Sequence, residues 1–168
     1  VLQPGLPCGA PPRSEHPREG SALQHDDGLV QGRGHMGRGA VDGKHDPGGG
    51  DLLDGGNGND SIAGDNATAT FDAAGVLERL ESTDTGLGAA DTITGQAGND
   101  RIIGGVGQDV LTGGTGDDAV VGDNGFAVFD TASGSGVLTG LSSSGSADGD
   151  ADTIGTGDGN DTVIGGEG

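Results

Sequence analysis

Between Gly95 and Val121 the chain reads GQAGNDRII, GGVGQDVLT, GGTGDDAVV, three nine-residue units in one register. Each has Gly at its first and fourth places, Asp at its sixth and an aliphatic residue at its eighth. These are Asp100, Asp109 and Asp118, then Ile102, Leu111 and Val120. The last three residues of a unit, such as Arg101-Ile102-Ile103, are too short for an ordinary strand. They suffice for one rung of a solenoid, with the eighth residue inward and its neighbours outward. One unit is then a turn plus a short strand, and two units make one coil. Turns on the same side fall eighteen residues apart, which stacks Asp91 near Asp109 and Asp100 near Asp118. Carboxylates layered so closely repel one another unless a cation lies between them.

The phase extends well beyond these three units. Gly55–Ala63 reads GGNGNDSIA, a full match with Asp60 and Ile62. Asp46–Asp54 carries Asp51 and Leu53, and Gly86–Thr94 carries Asp91 and Ile93. Ala147–Gly155 carries Asp152 and Ile154, and Thr156–Ile164 carries Asp161 and Val163. Eight units share the aspartate and the aliphatic at fixed places, which an accidental Gly/Asp linker would not do.

Glycine lets a turn adopt positive φ and lets the backbone approach a ligand. The sixth-place aspartate supplies a hard anionic oxygen suited to Ca²⁺, and turn carbonyls can complete a shell of about six to eight oxygens. Composition says that such help is needed. Glycine numbers 40 of 168 residues, Trp and Tyr are absent, and Leu, Ile, Val and Phe together number 32. With a net charge of −20, that balance is the one expected of disordered chains. Ordering a residue costs roughly 1–2 kcal/mol, whereas burying one aliphatic side chain recovers roughly 1.5–3 kcal/mol. One such residue in nine leaves a deficit that metal binding to the folded state alone would fill.

The same acidity argues against nucleic acid, which requires clustered Lys and Arg. Residues 46–168 hold only Arg79 and Arg101. No stretch is apolar enough to span a membrane, and the single Cys8 cannot form a disulfide within the chain.

Residues 1–45 have a different character. All four His, five of the seven basic residues and five of the six prolines lie there, at zero net charge. Two readings fit: an irregular, disordered tail, or a mis-joined end that is not native sequence. His16, His25, His35 and His45 are irregularly spaced and read as solvated side chains. From residue 46 to 168 the chain reads as one all-β module.

The nonapeptide phase breaks twice in the same manner. Gly64–Asp72, GDNATATFD, and Gly122–Asp130, GDNGFAVFD, carry Phe71 and Phe129 at the eighth place but Ala69 and Ala127 at the sixth. Each reads as a rung without the usual carboxylate, although Asp65 and Asn66 offer turn oxygens. Out-of-phase inserts follow, at about 73–85 and 131–146. Val76, Leu77 and Leu80 in the first answer Val137, Leu138 and Leu141 in the second. A β-hairpin leaving the solenoid is expected for each, with a short helix over Val76–Ser82 as the competing reading. The result is a repeat of repeats, 58 residues apart before the second insert and 61 after it. The sequence ends four residues into another unit, as a window on a longer array would.

Other motifs fail on inspection. Asp148, Asp150 and Asp152 have the acidic spacing of an EF-hand loop, but Thr153 replaces its glycine and Gly159 its glutamate. Gly104-Gly105-Val106-Gly107 lacks the Lys-Ser/Thr that follows in a phosphate-cradling loop. No Ser/His/Asp or Cys/His set is present outside the odd N-terminal segment, so no enzyme activity is expected.

The pattern G-G-x-G-x-D-x-U-x resembles the RTX family, the haemolysin-type calcium-binding repeats, over residues 46–168. The resemblance implies an all-β parallel β-roll (a β-solenoid) with two hairpin-like inserts, and Ca²⁺ as the bound ion. It implies metal ligation by Asp51, Asp60, Asp91, Asp100, Asp109, Asp118, Asp152 and Asp161. The accompanying turn glycines are Gly55, Gly56, Gly58, Gly98, Gly104, Gly105, Gly107, Gly113, Gly114, Gly116 and Gly159. It further implies a bacterial protein exported unfolded, which folds where calcium is plentiful, either in secreted form or at the cell surface. Two functions remain open: a structural, adhesin-like spacer paired with neighbouring repeats, or the folding and secretion tail of a toxin or hydrolase. The units at Asp46, Gly86 and Ala147 lack the full glycine set.

Overall fold

The computed structural model describes residues 50–132, 136–144 and 149–168, together with one strand at Leu29–Gln31. The first seven strands are β1 (Leu29–Gln31), β2 (Leu52–Asn57), β3 (Ser61–Ala63), β4 (Ala67–Phe71), β5 (Leu77–Ser82), β6 (Thr92–Ala97) and β7 (Arg101–Ile103). Then come β8 (Val110–Thr115), β9 (Ala119–Val121), β10 (Gly125–Asp130), β11 (Val137–Ser143), β12 (Thr153–Asp158) and β13 (Thr162–Ile164). Among the described residues there is no helix, so Val76–Ser82 contributes a strand rather than the competing helix.

The strands form three sheets. β2, β6, β8 and β12 stack in parallel as a long-strand sheet, and β3, β7, β9 and β13 stack in parallel as a short-strand sheet. Each coil contributes one strand of six residues and one of three. Pairing is in register through the eighth-place residues. Leu53, Ile93, Leu111 and Ile154 align in one sheet, and Ile62, Ile102, Val120 and Val163 in the other. Six of these eight side chains are buried as a single cluster, with Ile154 packed against it. This is the parallel β-roll expected from the nonapeptide. Strands β4, β5, β10 and β11 form an antiparallel sheet in the order β11-β10-β5-β4, made of two hairpins laid edge to edge.

Several expectations change in detail. Neighbours of the inward residue were expected to face outward, yet Ser61, Ala63, Ile103, Ala119 and Val121 are buried. The hairpin sheet covers that face. Ala63, Ile103 and Val121 pack with Ala67 and Leu80, and with the half-buried Ala69, Leu77 and Leu141. The protein therefore has two thin apolar layers, one on each side of the short-strand sheet.

The Phe71 and Phe129 segments are not rungs. They belong to β4 and β10, the first strands of the two hairpins, which span Ala67–Ser82 and Gly125–Ser143. The first hairpin is turned by Asp72, whose Oδ1 accepts the Ala74 and Val76 main-chain N–H groups at 2.8 Å each. The hydrogen bond from Val76, with the others, holds the Asp72 carboxyl below its ordinary range.

Each hairpin interrupts one turn of the roll. Paired coils lie 40, 18 and 43 residues apart in the chain. The uninterrupted value is 18, so the insertions amount to 22 and 25 residues. Excising residues 66–87 joins Gly64-Asp65 to Gly88-Ala89-Ala90-Asp91-Thr92-Ile93-Thr94, which is one nonapeptide. Excising 124–148 likewise joins Gly122-Asp123 to Gly149-Asp150-Ala151-Asp152-Thr153-Ile154-Gly155. The halves do meet, because a Cβ on Gly64 would collide with Asp91 Oδ2, and one on Gly122 with Asp152 Oδ2.

Within the segment read as an irregular tail, Leu29–Gln31 forms β1, paired in parallel with β3. Its other residues, including the four histidines and Cys8, lie outside the described residues.

Candidate metal centre

The coils place their turns in two columns. One holds the turns from a six-residue strand into a three-residue strand: 55–60, 95–100, 113–118 and 156–161. All four are continuous, and they carry Gly55, Gly56, Gly58 and Asp60, Gly98 and Asp100, Gly113, Gly114, Gly116 and Asp118, and Gly159 and Asp161. The other column carries Asp51, Asp91, Asp109 and Asp152. Its Gly104–Asp109 turn, with Gly105 and Gly107, is continuous, whereas the turns that end in Asp91 and Asp152 are split by the hairpins.

In both columns the sixth-place aspartates build a ladder. The Asp60, Asp100 and Asp118 main-chain N–H groups donate to Oδ1 of Asp100, Asp118 and Asp161, at 2.8, 2.8 and 3.0 Å. Those of Asp51, Asp91 and Asp109 donate to Oδ1 of Asp91, Asp109 and Asp152, at 2.6, 2.7 and 2.9 Å. The pairs Asp91/Asp109 and Asp100/Asp118 expected from the eighteen-residue spacing are thus adjacent. Asp60, Asp91, Asp100, Asp109 and Asp118 are each at most 2% exposed.

The second carboxylate oxygens need another partner. Oδ2 of Asp109, Asp118 and Asp152 is buried and receives no hydrogen bond. Each lies beside a first-place glycine and a carbonyl of the next coil. A Cβ on Gly104 would collide with Asp109 Oδ2 and the Gly122 carbonyl. One on Gly113 would collide with Asp118 Oδ2 and sit 2.8 Å from the Thr156 carbonyl. Any residue other than glycine fills this cradle. Gly114 is held for a second reason: at φ +123° its backbone lies directly on the Gln96 carbonyl, which leaves no room for a side chain.

The continuous column has an additional outer ladder from its fifth places. Asn99 N–H donates to Asn59 Oδ1 at 2.7 Å, Asp117 N–H to Asn99 Oδ1 at 2.9 Å, and Asn160 N–H to Asp117 Oδ1 at 2.9 Å. The split column has Gly50, Ala90, Gln108 and Ala151 at those places. Its stacking relies on the sixth place instead.

Burial without a cation disfavours the ionised acid. It pushes the Asp109 carboxyl up to about 8, aided by the nearby carboxylates of Asp91, Asp152 and Asp65, although the hydrogen bond from Asp91 opposes the rise. Burial pushes Asp118 up to about 6, with Asp100, Asp161 and Asp117 adding to the effect against the hydrogen bond from Asp100. Asp152 is raised by burial and, beyond the opposing hydrogen bond from Asp109, by the carboxylates of Asp123 and Asp150. Among the described residues no three carboxylate, imidazole or thiolate side chains converge on one point. Any ion here therefore draws most of its ligands from carbonyls, with one or two carboxylates. Hard oxygens and clustered negative charge fit Ca²⁺, whose shell accepts carbonyls and carboxylates alike. Soft or nitrogen-seeking metals find no suitable donor in these turns.

The sequence reading offers Asp65 only as a source of turn oxygen and passes over Asp123 and Asn124, though all three are buried beside the split turns. Their signal was the repeated Gly-Asp-Asn that opens each break in phase.

Fold and site together define a calcium-binding parallel β-roll. The RTX calcium-binding nonapeptide repeat matches the chain in four copies, across residues 48–68, 85–120 and 146–168. Comparison with curated proteins and with solved structures finds no match. These segments are RTX calcium-binding nonapeptide repeats, which bind Ca²⁺ and serve as structural units.

Proposed function

We propose that residues 46–168 are a calcium-folded structural module of a large secreted or cell-surface protein, an adhesin-like spacer without catalysis of its own. Its ligands are the sixth-place aspartates Asp51, Asp60, Asp91, Asp100, Asp109, Asp118, Asp152 and Asp161, with turn carbonyls at the glycines named above. The fit of the aspartate Oδ2 atoms to the glycine cradles supports this reading, as does the general occurrence of RTX repeats in secreted bacterial proteins. At low calcium the acid ladder repels itself. At millimolar calcium, binding restricted to the folded state adds RT ln(1 + [Ca²⁺]/Kd) per site.

The observation that carries the spacer reading is the seam between periods. β5 of the first hairpin pairs with β10 of the second, through Phe126↔Glu81, Ala127↔Leu80 and Val128↔Arg79. Consecutive periods thus share all three sheets, as an extended array of neighbouring repeats requires. A second observation favours the alternative, a folding and export tail for a toxin or hydrolase. Each period contributes two coils, which advance the rod by only about 10 Å, a short reach for some 60 residues. Tandem chains of two and four periods, measured by small-angle scattering in calcium, decide between them. A rod that lengthens by about 10 Å per added period sustains the spacer. Periods that scatter as separate beads overturn it.

A further inference from the structure

We propose that Asp123 is a calcium ligand alongside Asp152, so that one ion clamps the two ends of the β10–β11 hairpin. The proposal rests on the calcium reading of Asp152 and adds a carboxylate at the second place of the unit, where the RTX pattern has glycine. Asp123 is 4% exposed. Its Oδ2 accepts the Glu167 main-chain N–H at 2.5 Å, while its Oδ1 is buried with no hydrogen-bond partner. Capping Glu167 would need only one oxygen and no charge, so asparagine would serve equally well. The second oxygen and the negative charge are what capping leaves unexplained.

The surroundings are those of a cation site. Asp152 Oδ2 is also buried without a donor. A Cβ on Gly122 would collide with that oxygen and with the Gly165 carbonyl, and one on Gly149 would meet the Glu167 carbonyl and Asp123 Oδ2. Two carboxylates and two carbonyls thus line one split turn. Among the described residues the only basic side chains are Arg79, engaged by Glu81, and Arg101, which donates to the Asn99 carbonyl. A buried carboxylate pair with no positive partner is strongly disfavoured unless a cation joins it. Asp123 precedes the hairpin and Asp152 follows it, so a shared ion closes a loop of 29 residues that the chain would otherwise have to close unaided. Asp65 stands at the equivalent place one period earlier, 5% exposed, with its Oδ2 accepting the Val106 N–H at 2.6 Å.

The test is calorimetric titration of calcium into the full chain and into D123N, D123G and D130N. Asp130 is an exposed hairpin residue whose Oδ1 accepts the Ala132 N–H, and D130N should titrate like the parent. D123N keeps the shape and the Glu167 hydrogen bond, and D123G restores the repeat's own glycine. Both should weaken one site roughly tenfold and speed hydrogen exchange in β10–β11 more than in β4–β5. A parental isotherm for either Asp123 variant overturns the proposal while leaving the sixth-place sites intact. A parent chain that takes up no calcium overturns the metal reading as a whole.

Discussion

The two columns of turns are built from the same nonapeptide yet answer different demands. The continuous column stacks by two ladders, an inner one of Asp60, Asp100, Asp118 and Asp161 and an outer one of Asn59, Asn99, Asp117 and Asn160. The split column keeps only the inner ladder, and two of its turns are cut open by hairpins. The rungs beneath are nevertheless aligned across intervals of 40 and 43 residues as well as across 18. Register is thus set by the sixth-place carboxylate and the eighth-place aliphatic, not by continuity of the chain. Insertions are tolerated where the broken ends can be brought together again, and the hairpins that result bury a second apolar layer.

The largest effect should come from the continuous column. Replacing both Asp100 and Asp118 by Ala removes two of the proposed ligands and leaves the buried N–H groups of residues 60 and 100 without their carboxylate acceptors, at about 1–3 kcal/mol each. The double variant should show no calcium-induced β signal by circular dichroism at concentrations that saturate the parent. Parental stoichiometry and affinity would show that the ladder is not the site.

Next comes a substitution that should separate the layers. Leu80 is fully buried between the hairpin and short-strand sheets. Leu80→Ala should cost about 2–5 kcal/mol and release the hairpins to proteolysis, while the continuous column keeps its calcium affinity. Ile102→Ala, in the layer between the two parallel sheets, should cost a similar amount but weaken calcium binding in both columns. Equal effects of the two variants on affinity would mean that the layers are not separable.

These contrasts also mark what the sequence disclosed. The sixth and eighth places were legible because every unit repeats them, and the interval of eighteen followed from two units per coil. The second apolar layer was missed although its signal was present. Ninth places alternate, with Ala63, Ile103, Val121 and Ile164 in the short strands against Asp54, Thr94, Thr112 and Gly155 in the long ones. A single-unit reading averages over that alternation. The split turns were hidden because Gly64-Asp65 and Gly88–Asp91 are halves of one unit that only the folded chain brings together. Reading Phe71 and Phe129 as rungs followed from continuing the count through a break.

Acidity should reverse the role of calcium in a more graded way. The metal-free fold raises Asp109 from 3.8 to about 8, so it holds a proton that the unfolded chain releases above about pH 4. Without divalent ions, stability should therefore fall as pH rises from 4 to 8 and level off above that. In metal-free buffer the chain should keep more β structure at pH 5 than at pH 8.5, whereas apparent calcium affinity should rise over the same interval. A flat pH response in metal-free buffer would show that the buried carboxylates do not govern folding.

The smallest effect lies in the hairpin sheet. Arg79 rests 4.2 Å over the Phe126 ring, across the seam between the hairpins, and bonds Glu81. Arg79→Ala should cost about 0.5–1 kcal/mol and leave calcium titration unchanged. A large shift in the titration would tie the seam to the metal sites.

The central claim is that bound calcium, added to two thin apolar layers, holds these coils together. The direct measurement is far-UV circular dichroism of the chain stripped of divalent ions at pH 7.5 and then titrated with calcium to about 1–10 mM. A disordered spectrum that converts cooperatively to β structure is the expected result. A stripped chain with the same β content as the calcium-loaded one would contradict it.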